Sequence, residues 1–195
     1  FYKDTQGGMW IGTYFGGLNY YHPLRQRFHN IRNVPYHNSL NDNVVSCIVE
    51  DDERNIWIGT NNGGLNRYDL GKEWFTSYTM ADGLLSNDVK VIYVDEQAKR
   101  VYVGAHASGG LNVLDLKTGR ILSFLPEEGL QTGRGFYGIL PETDGELLLG
   151  AVTGSMVAFV PGTGKFRRLS FSDGRLLEKR IITLFRDSRN RIWIG

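Results

Sequence analysis

One short phrase occurs five times in this chain: an acidic residue, a turn, then an apolar strand that ends on glycine. The copies run from Asp4 to Met9-Trp10-Ile11-Gly12, from Asp51 to Ile56-Trp57-Ile58-Gly59, from Glu96 to Val101-Tyr102-Val103-Gly104, from Glu142 to Leu147-Leu148-Leu149-Gly150 and from Asp187 to Ile192-Trp193-Ile194-Gly195. Their central residues, Trp10, Trp57, Tyr102, Leu148 and Trp193, are 47, 45, 46 and 45 residues apart. A period that steady, too short for a domain and too long for a hairpin, marks a repeat architecture whose units stack to share a core.

Alignment on the central residue fixes the rest of the unit. Three residues before it stand Gly7, Arg54, Lys99, Gly145 and Asn190, which suit a tight polar turn, and Gly12, Gly59, Gly104 and Gly150 follow two after it. Then come Gly16-Gly17-Leu18, Gly63-Gly64-Leu65, Gly109-Gly110-Leu111 and a degraded Gly154-Ser155-Met156. In the second copy, 44–50, 55–59, 64–69 and 74–78 read as short strands rich in β-branched and aromatic residues. Links of this length make antiparallel hairpins. The predicted fold is all-β: β-propeller blades of four antiparallel strands, about 46 residues per repeat, with about four blades present. The blade segments fall at about 1–34, 43–80, 88–125, 134–171 and 180–195 of a single domain spanning 1–195. The first strands are expected to be apolar on both sides, as at 44–49 and 91–94. The glycine after each central residue should permit close backbone approach near the axis, and the double glycine should supply positive φ to the second hairpin. No helix of consequence is predicted.

The repeat count points to part of a larger ring, since a copy of the second strand stands at each end. Open blade faces and unpaired edges then predict association of the isolated segment. The 22 basic and 21 acidic residues leave a net charge of +1, which gives no electrostatic case for nucleic acid or an anionic membrane. Cys47 is the only cysteine, so no internal disulfide forms. Neither a signal peptide nor an 18-residue apolar run is present in these 195 residues.

The string at 51–69, Asp-x-x-x-Asn-x-Trp-Ile-Gly-Thr followed by Gly-Gly-Leu-Asn-Arg-Tyr-Asp, resembles the two-component regulator propeller repeat. Asp82-Gly83-Leu84 with Ser86-Asn87, echoed at Glu128-Gly129-Leu130 and Asn38-Ser39-Leu40, is similar to that family's link between blades. The likeness is strong in the second copy, good in the first and third, and weak in the fourth. The resemblance implies a seven-bladed parent: the periplasmic ectodomain of a hybrid two-component sensor histidine kinase, of the kind found in glycan-degrading gut bacteria. It further implies an oligosaccharide ligand, a homodimeric ectodomain, and kinase activity that belongs to the parent rather than to this segment. Alternatives are a propeller polysaccharide lyase or glycosidase, which would need a His/Tyr or paired-carboxylate constellation near the axis, and a scaffold that binds nothing.

Trp10, Trp57, Tyr102 and Trp193, with Gly12, Gly59, Gly104 and Gly150, repeat in phase with the core and are read as structural. The acids six residues before each centre are read as turn residues bonding nearby amides. His22, His29, His37 and His106 share no metal-ligand spacing and read as surface or loop residues, and Arg186 with the Arg189-Asn190-Arg191 run as solvated strand ends and turns. No cofactor, metal or catalytic residue is expected. Ligands of propellers sit where loops converge before the inner strands, here at Asn41-Asp42-Asn43, Ser86-Asn87-Asp88, Gln131-Thr132-Gly133-Arg134 and Glu178-Lys179-Arg180. The third loop departs most from the repeat, so Arg134 and Tyr137 lead the candidate binding residues, with Asn43, Asp88, Lys179 and Arg180 beside them. Arginine would suit an acidic sugar through bidentate contact with a carboxylate or sulfate.

Overall fold

The computed structural model describes residues 1–106, 110–127, 130, 135–152, 156–169 and 180–195, with the backbone alone at 25–28. Four antiparallel sheets of four strands follow one another along the chain, each an up-and-down meander. Blade 1 holds β1 (Tyr2–Lys3), β2 (Met9–Thr13), β3 (Gly17–His22) and β4 (Arg25–Ile31); blade 2 holds β5 (Val45–Glu50), β6 (Asn55–Thr60), β7 (Leu65–Asp69) and β8 (Trp74–Tyr78). Blade 3 holds β9 (Val89–Asp95), β10 (Arg100–Ala105), β11 (Leu111–Asp115) and β12 (Ile121–Phe124); blade 4 holds β13 (Phe136–Pro141), β14 (Leu147–Ala151), β15 (Met156–Val160) and β16 (Lys165–Arg168). A fifth sheet pairs β17 (Leu184–Arg186) with β18 (Ile192–Ile194). Among the described residues the one helical turn is a 3₁₀ segment at Met80–Asp82, and no helix is long and apolar enough to cross a membrane.

The first hairpin of each unit closes through the turn that the sequence marks. Gly7, Arg54, Lys99, Gly145 and Asn190 all adopt left-handed φ, at 84°, 67°, 53°, 84° and 60°. In blade 2 the Arg54 amide donates to the Asp51 carbonyl at 2.9 Å and the Asp51 amide to the Asn55 carbonyl at 3.0 Å, the pattern of a three-residue loop built on a type I turn. The acid then clasps the hairpin from the side. Asp51 accepts from the Asn55 amide and from Trp57 Nε1, both at 2.8 Å. Asp4 does the same with Gly8 and Trp10, and Asp187 with Arg191 and Trp193. The amide bonds match the sequence reading; the indole bond adds to it. Where the central residue is Tyr102 or Leu148 there is no indole to bind, and the acid is Glu. Its longer side chain reaches the neighbouring sheet instead: Glu96 Oε1 accepts from the Asp52 amide at 2.7 Å, and Glu142 Oε1 from Arg186 Nη2 at 2.7 Å. Arg186 is therefore part of a joint between sheets, not a solvated turn residue.

Each joint between blades is a hydrophobic core containing the central residue of the preceding blade. Trp10 packs with Ile56, Ile58 and Phe75 of blade 2. Trp57 packs with Val89, Ile92 and Val101 of blade 3, and Tyr102 with Phe136, Leu149 and Phe159 of blade 4. Full burial of one such side chain contributes about 1.5–3 kcal/mol. In the fifth sheet Trp193 is 56% exposed. The first strands differ from expectation: β5 and β9 are mostly half-buried, whereas β6 and β14 are buried along their whole length. The first strand faces the axis, and the second is the one enclosed on both sides.

The glycine after each centre is where the next blade approaches. A Cβ on Gly12 would stand 2.7 Å from Val45 Cγ1, on Gly59 2.6 Å from Val89 Cγ1, on Gly104 2.7 Å from the Phe136 carbonyl oxygen, and on Gly150 2.5 Å from Ile181 Cγ2. Side chains cannot come that close, so glycine here sets the blade spacing. The double glycine behaves differently from the reading above. Gly17 and Gly64 have φ of 74°, but Gly16, Gly63 and Gly110 do not enter the left-handed region, while Gly109 and Gly154-Ser155 lie outside the described residues. Gly63 serves close approach instead, since its Cβ would meet Asn41 Cβ at 2.7 Å. The following Asn holds the incoming linker: Asn66 Oδ1 accepts from the Asn41 amide at 3.1 Å, and Asn112 Oδ1 from the Leu85 amide at 2.9 Å.

Candidate functional site

The edge where first strands begin and second strands end carries a polar cluster drawn from three blades. Just inside that edge every first strand of blades 2 to 4 slips by one residue against its partner, between Val45 and Cys47, between Val89 and Val91, and between Phe136 and Gly138. The residues left out of register are Ser46, Lys90 and Tyr137. A bulge of this kind re-aims a side chain and is favoured beside functional sites. The residue following each second strand, Tyr14, Asn61 or His106, is the repeat-equivalent partner of the next blade's bulge residue.

Two of these cross-blade pairs are in contact. Lys90 Nζ donates to Asn61 Oδ1 at 2.9 Å, and the rings of His106 and Tyr137 meet edge-on with centroids 5.9 Å apart. Asp88 joins them: its Oδ1 lies 2.5 Å from Lys90 Nζ, and its Oδ2 lies 3.3 Å from His106 Nδ1. Lys90 also stands over the Tyr137 ring, 5.9 Å from the centroid. The Lys90 side chain is only 17% exposed, so its charge is largely withdrawn from water and Asp88 compensates it. Backbone geometry brings the blades this close. His106 forms an isolated antiparallel bridge with Gly135, whose φ is 140° and whose Cβ would collide with the Ala105 carbonyl. A larger residue at 135 would push Tyr137 away from His106.

Burial raises the Tyr137 phenol above its ordinary range, the Asp88 carboxylate adds to the shift, and Arg180 opposes it. The phenol is therefore protonated across the neutral range and acts as a hydrogen-bond donor, poorly suited to proton abstraction. The cluster offers a protonated phenol, an imidazole, a lysine already balanced by a carboxylate, a carboxamide and an aromatic face. That set suits reversible binding of a hydroxyl-rich molecule. Among the described residues no group of three or more His, Cys, Asp and Glu side chains is placed to hold a metal ion.

Of the residues that the sequence singles out, Asp88 and Tyr137 stand together in this cluster, and Arg180 lies close enough to act on Tyr137 electrostatically. Asn43 sits on the same edge, but its Oδ1 accepts from the Asn33 amide at 2.8 Å and so holds the link between blades 1 and 2. Arg134 and Lys179 lie outside the described residues. Sequence reasoning missed Asn61, Lys90 and His106, the last taken for a surface or loop residue. Their signal was available: at two repeat-equivalent positions the chain changes chemistry from blade to blade, Tyr14 to Asn61 to His106 and Ser46 to Lys90 to Tyr137.

Residues 39–62, which include Asn43, β5, β6 and Asn61, match the family model described as two component regulator propeller. No curated protein matches the sequence. Among solved structures, the extracellular domain of a protein assigned as a hybrid two component system of B. thetaiotaomicron is 23% identical, covers 99% of this chain and 31% of its own, and has a TM-score of 0.75. A second such domain from the same organism is 21% identical over 97% of this chain and 25% of its own, with a TM-score of 0.77. Virginiamycin B lyase from Staphylococcus aureus is 16% identical over 77% of this chain and 48% of its own, with a TM-score of 0.62. The chain thus spans no more than about half of each of these structures, and at these identities the likeness is one of fold. The chain is a run of β-propeller blades that carries the two component regulator propeller repeat in its second blade.

Proposed function

We propose that these blades belong to the periplasmic sensor region of a hybrid two-component histidine kinase and bind an oligosaccharide at the axial edge. The observation that carries this reading is the Asn61–Lys90–Asp88–His106–Tyr137 cluster, assembled from three blades at register slips that re-aim Lys90 and Tyr137. The fold shared with extracellular domains of hybrid two component systems, and the repeat matched at 39–62, support the setting. The segment itself binds rather than catalyses, and its partners are the remaining blades of the parent and a second ectodomain. An acidic sugar would engage Arg180 together with Arg134 and Lys179. A neutral one would rely on Tyr137, His106 and Asn61.

The lyase reading draws on one specific observation, the His106–Tyr137 pair near the axis. It is the weaker reading, because a phenol raised above its ordinary range does not serve as the base that elimination needs. Calorimetric titration of the intact protein with a panel of acidic and neutral oligosaccharides tests both. Saturable heat without turnover, weakened at least tenfold by Lys90→Met or Tyr137→Phe, is the expected result. Product formation, or affinity that neither variant alters, would overturn the sensor reading at this edge.

A further inference from the structure

Two turns of blade 2 carry charges that the fold does not require. Arg54 has a φ of 67° and Glu73 a φ of 53°, in the left-handed region where a side chain costs energy and glycine does not. Other blades use glycine at the same places: Gly7 and Gly145 at the first, Gly119 and Gly164 at the second, each with positive φ. Among the described residues neither Arg54 nor Glu73 makes an ion pair or a side-chain hydrogen bond. Charges kept on strained backbone without an intramolecular partner mark a place where the side chain, rather than the turn, is needed.

Both residues border a cavity of about 700 Å³ between blades 1 and 2, on the edge opposite the axial cluster. Its walls are Trp10, Tyr20 and Ile31 of blade 1 with Tyr68 and Leu70 of blade 2. The ring of Trp10 leans on Tyr20 with centroids 4.6 Å apart and meets Tyr68 edge-on at 6.3 Å. Burial and the Glu73 carboxylate raise the Tyr68 phenol above its ordinary range, which sets that charge against the aromatic wall.

The next joint shows the same crevice filled. Between blades 2 and 3 it shrinks to about 250 Å³. Arg67, the repeat equivalent of Tyr20, lies over the Trp57 ring, 5.7 Å from the centroid. Glu53, the equivalent of Gln6, pairs with Arg67 at 3.8 Å and with Lys99, the equivalent of Arg54, at 3.4 Å. Blade 1 replaces the filling cation by a ring and the acid by a carboxamide. The crevice opens, and Arg54 loses the partner that Lys99 keeps.

We infer that this cavity binds a small zwitterion with an aromatic side chain, an amino acid or dipeptide. Its carboxylate meets Arg54, its ammonium group meets Glu73, and its ring enters the aromatic lining. Guanidinium and carboxylate match in bidentate geometry, and rings pack edge-on or offset against the faces already present. A ligand with one charge would leave Glu73 or Arg54 opposed or unanswered, so carrying both gives specificity. The volume lies within the range of about 300–1,000 Å³ usual for small-molecule pockets. This inference is independent of the oligosaccharide reading at the axial edge.

The test is calorimetric titration of the intact protein with phenylalanine, alanyl-phenylalanine, and the N-acetyl and C-terminal amide forms of that dipeptide. Wild type, Arg54→Gly and Glu73→Gly are compared. Each substitution relieves a strained side chain, so thermal midpoints should equal or exceed that of the wild type, which separates lost binding from lost folding. The expected result is saturable binding of at least one of the two zwitterions, weakened at least tenfold by either substitution. The blocked forms assign the contacts: the N-acetyl form should no longer distinguish Glu73→Gly from wild type, nor the amide Arg54→Gly. No binding of either zwitterion to the wild type, or affinity that neither substitution alters, overturns the inference.

Discussion

Trp57 Nε1 donates to the Asp51 carboxylate at 2.8 Å across the hairpin that joins β5 and β6, and both side chains are buried. The bond locks the turn to the core of the joint with blade 3, because the same indole packs against Val89 and Ile92. Blade closure and blade stacking are thus coupled through one residue pair.

Asp51→Ala should destabilise the protein by about 1.5–3 kcal/mol, the range for hydrogen bonds to a charged group. Trp57→Phe keeps an aromatic ring but removes the donor together with part of the indole, and should cost about 1–3 kcal/mol for the lost bond with a cavity contribution on top. A double-mutant cycle by urea denaturation should give a coupling of at least about 0.5 kcal/mol. Additive effects would mean that the bond contributes nothing beyond each residue's own packing.

Stability should fall as pH is lowered from about 4 toward 2. Asp187 is held down to about 2 by the Trp193 indole, the amides of Arg191 and Arg189 and the Arg191 guanidinium, against an ordinary value of 3.8. Asp69 and Asp115 are lowered as well, by Lys72 and by the turn at Thr118. A depressed carboxylate contributes stability that is complete above the ordinary value and lost as pH drops through the folded one. Denaturation midpoints recorded from pH 5 to pH 2 check this, and in Asp187→Asn the slope should be shallower than in the wild type.

Gly104→Ala should cost about 1–3 kcal/mol, because the new Cβ would stand 2.7 Å from a backbone carbonyl oxygen of blade 4 that has little room to retreat. Gly162→Ala is the control. Nothing lies within 4 Å of its Cβ position and its φ is not positive, so the change should be neutral or stabilising by about 0.4–1 kcal/mol. Equal effects from the two substitutions would contradict the role given to the glycine after each centre.

Arg54→Gly should stabilise the turn of blade 2 by up to about 1 kcal/mol, since Arg54 sits at φ 67° where a side chain is strained and glycine is not. Arg54→Val should do the opposite, as branching at Cβ worsens the left-handed conformation. Thermal melts of the two variants give the sign directly.

Much of the fold was legible because its signals lie close together in sequence. The period, the turn residues three before each centre and the glycine two after it each act within a dozen residues, and the strands of blade 2 fall within a residue of those read from pattern alone. The Asp–Trp clasp was half legible. The acid and the indole are both conspicuous, but their meeting depends on a left-handed turn residue that carries the chain back by six positions. The exchange of Asp for Glu wherever Tyr102 or Leu148 replaces Trp was open to inspection and went unread.

The axial cluster was harder to see for a physical reason. Alternation along a strand assigns each residue to a face, and a slip of one residue reverses that assignment at Ser46, Lys90 and Tyr137. Its members also come from three blades, so Asn61, Lys90, His106 and Tyr137 meet only once the blades are stacked. Asp88 was reachable because it stands in a loop that a propeller turns toward its axis, and Tyr137 because it lies just past such a loop, at the start of β13.

Hydrogen exchange of the intact protein, with and without a saturating oligosaccharide from the calorimetric panel, tests the central claim most directly. The account predicts added protection at the amides of Asn61, Val89, His106 and Tyr137, at the axial edge of three successive blades. Protection confined to the turns at Arg54, Lys99 and Gly145, on the opposite edge, or to the outer strands β8 and β12, would contradict it.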